Sequence, residues 1–88
     1  MSIQSMRFDL EWAVRYFDSL EQYIKGEQTY MVKGTVQKIR ETFETYGRNG
    51  KEGLFESLIF IENNPTSAES LKLTQQLKQE IQSAIKSL

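Results

Sequence analysis

The chain has no cysteine and no histidine among its 88 residues. Without cysteine there are no disulfides and no thiolate metal sites. Without histidine it lacks the commonest general base and the commonest metal ligand. A Ser or Thr nucleophile needs a base beside it, and neither Thr35 nor Thr42 has a histidine to supply one. A dimetal bundle of the Glu-x-x-His kind is excluded for the same reason. No apolar run reaches the roughly 20 residues of a membrane span. The stretch Met1-Ser2-Ile3-Gln4-Ser5-Met6-Arg7 is too polar for a signal peptide, so a cytoplasmic protein is expected.

Charge of one sign is also missing. Eleven basic and 12 acidic residues leave a formal charge of -1, whereas phosphate-binding proteins usually carry a positive excess. The distribution is uneven. The acids outnumber the bases in residues 1–27 and 52–88, and the bases Lys33, Lys38, Arg40, Arg48 and Lys51 outnumber Glu41 and Glu44 between them.

There is one proline, Pro65, and there are five glycines. Between these breakers the apolar residues recur at three and four, the spacing of one helical face. Four helices follow, at about 3–25, 28–46, 51–63 and 67–87. The first carries Ile3, Met6, Leu10, Ala13, Val14, Phe17, Leu20 and Ile24 on one stripe, with Gly26 as its left-handed stop. The second carries Val32, Val36, Ile39, Phe43 and Tyr46, with Gly34 unexpectedly inside it.

The third helix is the hardest to read, because Leu58-Ile59-Phe60-Ile61 is also β-prone. Helix is preferred, since Glu52, Glu56 and Glu62 keep one face polar and no second strand is present to pair with it. Asn64-Pro65 ends it. Thr66, with Glu69 three residues on, reads as the capping box of the fourth helix. That helix carries Leu71, Thr74, Leu77, Ile81, Ala84, Ile85 and Leu88 on a seam close to a coiled-coil pattern. Short connections make successive helices antiparallel. The expected fold is therefore all-α, a single-domain up-down antiparallel four-helix bundle with a short third helix.

The first helix holds more apolar surface than one stripe accounts for. On a wheel of about 100° per residue, Phe8, Trp12, Tyr16 and Tyr23 fall more than about 90° from the core direction. Phe8, Trp12 and Tyr16 are spaced by four and share one strip. Either a second neighbouring helix covers these rings inside the monomer, or they bind another protein or a second copy of the chain.

The tract Gly47-Arg48-Asn49-Gly50, followed by Lys51, lies between two expected helices. Locally it resembles the GXXG loop with which KH domains clamp a nucleic-acid backbone. The resemblance covers the loop alone, and the sheet of a KH domain has no counterpart here. A helix–helix turn explains the same residues, because Asn-Gly tolerates positive φ.

These readings make a non-enzymatic protein-interaction module the leading expectation, acting through Phe8, Trp12, Tyr16 and Tyr23 with no cofactor and no metal. A nucleic-acid-associated protein using Lys33, Lys38, Arg40, Arg48 and Lys51 is the second. The third is a structural homo-oligomer joined through the aromatic strip and the seam of the fourth helix. Carboxylate pairs such as Glu41/Glu44 and Glu52/Glu56 read as solvated helix faces.

Overall fold

The structure, a computed structural model, describes residues 3–44 and 53–88, with the side chains of residues 7–44 and 53–88. Four helices make up the fold: α1 (Ile3–Lys25), α2 (Thr29–Glu44), α3 (Leu54–Asn63) and α4 (Ala68–Lys86). Among the described residues there is no strand, so the β-prone run 58–61 is helical. In the resulting all-α bundle α1 packs against both α2 and α4, and α3 closes the opposite corner between those two. The longest dimension, 37 Å, is close to the length of α1 at about 1.5 Å per residue.

One apolar core joins all four helices. Ala13, Phe17, Leu20 and Ile24 come from α1, and Val32, Val36, Ile39 and Phe43 from α2. Leu54, Leu58 and Ile61 come from α3, and Leu77 and Ile81 from α4. Three-and-four spacing brings these residues onto one face of each helix, and the packing of the helices decides which members of each stripe are fully covered. The α4 seam is used inside the chain: Leu77 and Ile81 are buried and Ile85 is half-buried, while Leu88 stays exposed.

Helix ends depart from the sequence expectation in three places. The left-handed residue after α1 is Glu27, with φ 55°, and not Gly26. The Glu27 amide donates to the Ile24 carbonyl at 3.1 Å, and that of Gln28 to Tyr23 at 2.9 Å, the paired bonds of a Schellman motif. The Gln28 carbonyl then accepts from Val32 at 3.0 Å, so a single residue closes α1 and opens α2. The close turn sets these two helices side by side.

The second departure is at α3, which starts at Leu54 rather than Lys51. Gly53 precedes it at φ 89°, a left-handed conformation that cannot continue a helix. Thr45 to Glu52 lie outside the described residues, and with them the expected glycine loop, Arg48 and Lys51.

The third is the cap of α4, which is Ser67 and not Thr66. Ser67 Oγ accepts the Ser70 amide at 3.1 Å, and its hydroxyl donates to Ser70 Oγ at 3.0 Å. The Ser70 hydroxyl passes on to the Asn64 carbonyl at the end of α3. Ser70 is fully buried. Ser67 thus both caps the helix and adds a hydroxyl contact to the buried Ser70, whose own proton goes to the Asn64 carbonyl.

Candidate functional site

Helix α1 has two flanks, and their side chains are treated differently. The flank toward α4 is polar and internally matched. Lys78 pairs with Asp18 and reaches Glu21 at 3.9 Å. Gln75 donates to Glu21 Oε1 at 2.9 Å, and Lys25 approaches the same oxygen at 3.6 Å. The Gln75 hydrogen bond, with Lys25 and Lys78 nearby, holds the Glu21 carboxyl below its ordinary value against some desolvation. The hydrogen bond to Asp18 holds the Lys78 ammonium above its ordinary value. These pairs also show the direction of packing, since Asp18 and Glu21 meet Lys78 and Gln75 in antiparallel register.

The flank toward α2 and the outer face carries the aromatic residues. Phe8 and Trp12 meet edge to face, with ring centroids 6.2 Å apart, and Trp12 and Tyr16 are 6.1 Å apart. The Arg15 guanidinium lies 5.0 Å from the centre of the Trp12 ring. Phe8 is 60% exposed and Trp12 40%. Tyr16 and Tyr23 are half-buried and pack on the core. Of the four aromatics expected to face a partner, two are thus outward and two serve the monomer as well.

Sequence reasoning missed what α2 adds. A groove of about 320 Å³ runs between α1 and α2, with Tyr16 and Tyr23 on one wall and Tyr30, Met31 and Lys38 on the other. Tyr30 is 91% exposed and Met31 47%. Gly34 also lines the groove, and a Cβ built there would meet nothing within 4 Å. The glycine therefore does not admit a neighbouring helix of this chain. The available signal was that Tyr30 and Met31 lie off the α2 core stripe, on the side carrying Gly34 and Lys38.

The basic residues of α2 do not gather on one face. Lys33 and Lys38 are about 140° apart around the helix. Arg40 shares the side of Lys33, but its guanidinium is bound to Glu62 of α3 at 3.1 Å. Lys38 faces the α1 groove instead. The described part of the basic segment is divided between two surfaces.

Little else in the described residues is arranged for chemistry. No group of three carboxylate side chains could hold a metal ion there. The Thr42 hydroxyl donates to the Lys38 carbonyl at 3.0 Å, and Thr35 is buried. No described helix is long and apolar enough to cross a membrane. Comparison with protein families, with curated proteins and with solved structures finds nothing that matches this chain.

Proposed function

We propose that this chain is a non-enzymatic protein-interaction module whose docking face is the aromatic row of α1 continued by the α1–α2 groove. The observation that carries the reading is the contiguous row Phe8–Trp12–Tyr16, with its first two rings in solvent. Phe8, Trp12, Tyr30 and Met31 together leave on the order of 400 Å² of apolar side chain exposed. That is about half of what one partner contributes to a standard interface. Trp and Tyr are also the residues in which binding energy concentrates.

The non-enzymatic part of the reading rests on chemistry. Histidine and cysteine are absent, and among the described residues the two groups whose ionisation is displaced, Glu21 and Lys78, serve the α1–α4 seam. The test is affinity capture from the native cell with Phe8→Ala and Trp12→Ala. Both variants are expected to keep the helical circular-dichroism spectrum and lose the partner. Folded variants that retain every partner would refute the docking face.

A further inference from the structure

The charges beside the aromatic row narrow the class of partner. From Phe8 to Tyr23 the row spans about 22 Å along α1, the length of a four-turn helix. Two antiparallel helices border its groove, which is the seat a third helix takes in a bundle. At Gly34 the wall carries no side chain, so a backbone can come close.

Neither flanking cation is held in an ion pair, and the one contact recorded for Arg15 is with the row itself, over the Trp12 ring. Among the described residues Arg7, Lys25, Arg40 and Lys78 have ion-pair partners, and Arg15 and Lys38 have none. Arg15 borders the row on the α4 side, where it also lines a cleft with Gln82, Ile85, a second cation, Lys86, and Glu11, whose carboxylate is paired with Arg7. Lys38 borders it on the α2 side, in the groove with Tyr16. Adjacent in sequence, Arg15 and Tyr16 stand at one level, so two cations flank the row at the same height. Glu41, three residues beyond Lys38, has an interaction of its own.

From this arrangement we infer that the face takes an amphipathic helix of a partner protein, with leucine-like residues on the row and acidic residues on both flanks facing Arg15 and Lys38. This rests on the docking face proposed above. A second copy of the chain fits less well, because a two-fold axis at Gly34 would bring the two Lys38 side chains toward each other. A helix in a groove reads its partner through apolar anchors at helical spacing, and the flanking charges select the sequence.

The test is a selection from displayed peptides of about 18 residues, enough to cover the row. Leucine is fixed at helical spacing, the flanking positions vary among Glu, Gln and Lys, and one central position offers Pro or Ala. The intact chain and its Arg15→Glu/Lys38→Glu variant are the targets. The intact chain is expected to enrich Glu at the flanks and reject Pro, and the variant to enrich Lys at the same positions. A resynthesised acidic winner should blue-shift Trp12 fluorescence and bind the variant at least about tenfold more weakly. Gly34→Leu should abolish binding while leaving the circular-dichroism spectrum unchanged.

Equal enrichment by both targets, selection of Pro-containing peptides, no enrichment at all, or Trp12-dependent dimerisation of the chain each overturns the acidic-helix assignment. Winners that bind Phe8→Ala/Trp12→Ala as tightly as the intact chain overturn the docking face itself. The two failures are thereby distinguished.

Discussion

Toward α4, helix α1 presents Asp18 and Glu21, and α4 answers with Lys78 and Gln75. Toward α2 and the outer face it presents Phe8, Trp12 and Tyr16, of which only Tyr16 packs against the core. The same helix thus completes its hydrogen bonds and ion pairs on one flank and leaves rings on the other, with Arg15 of α1 and Lys38 of α2 bordering them outside any ion pair. Matched polar groups at a seam hold the register of two helices. Exposed rings contribute little to the monomer, and their cost is recovered only when something covers them.

The largest expected effect contrasts two phenylalanines of α1. Phe17→Ala should lower unfolding stability by about 3–5 kcal/mol, because its ring is fully buried in the shared core. Phe8→Ala should change stability by no more than about 0.5 kcal/mol. Urea denaturation of both variants measures the difference. Comparable losses would mean that the outer row belongs to the core.

A smaller contrast concerns the cations. Lys78→Ala should cost about 1 kcal/mol, since the side chain is partly shielded and bridges two carboxylates. Lys38→Ala should cost under about 0.5 kcal/mol. If thermal melts show equal shifts, the two flanks do not differ as described.

Backbone geometry gives an effect of opposite sign. Glu27 holds the left-handed position after α1, where a non-glycine residue is disfavoured by about 1 kcal/mol. Glu27→Gly should therefore raise stability by roughly 0.5–1 kcal/mol. The same denaturation assay reads this, and a decrease would show that the Glu27 side chain makes up for its strain.

The smallest effect is the pH dependence of the matched flank. The folded Glu21 carboxyl titrates below 4.5, so its contribution is complete above 4.5 and is lost as pH falls through the lower, folded value. The folded Lys78 ammonium titrates above 10.5, so its contribution is complete below 10.5 and is lost as pH rises through the higher, folded value. Glu21→Gln should flatten the acid limb of a stability–pH curve and leave the alkaline limb in place. An unchanged acid limb would assign that loss to other carboxylates.

The core was legible because it depends on periodicity. Phe17, Leu20, Ile39 and Leu58 are buried where three-and-four spacing puts them. Helix ends were less legible, because neighbouring residues offered equivalent chemistry. Thr66 and Ser67 are both good caps, and only the tertiary structure shows that Ser67 takes the role, beside the buried Ser70 that bonds the Asn64 carbonyl. Gly26 and Glu27 differ in the opposite sense. Glycine is the favoured left-handed residue, yet the bonds from Glu27 to Ile24 and from Gln28 to Tyr23 place that conformation one position later.

The candidate site shows the same division. The wheel separates Phe8, Trp12, Tyr16 and Tyr23 from the core, since angular position within one helix is a property of the sequence. It cannot show which neighbour stands beside that strip. Only the packing of α2 against α1 half-buries Tyr16 and Tyr23, leaves Phe8 and Trp12 outside, and adds Tyr30, Met31 and Gly34 to the groove.

By itself, then, the sequence determined four helices, their apolar faces, and the lack of the histidine and cysteine used by common active sites. The tertiary structure decided which cations are spent on ion pairs and which remain available beside the aromatic row. Periodicity is local to each helix, whereas the pairing of a charge depends on the helix that faces it.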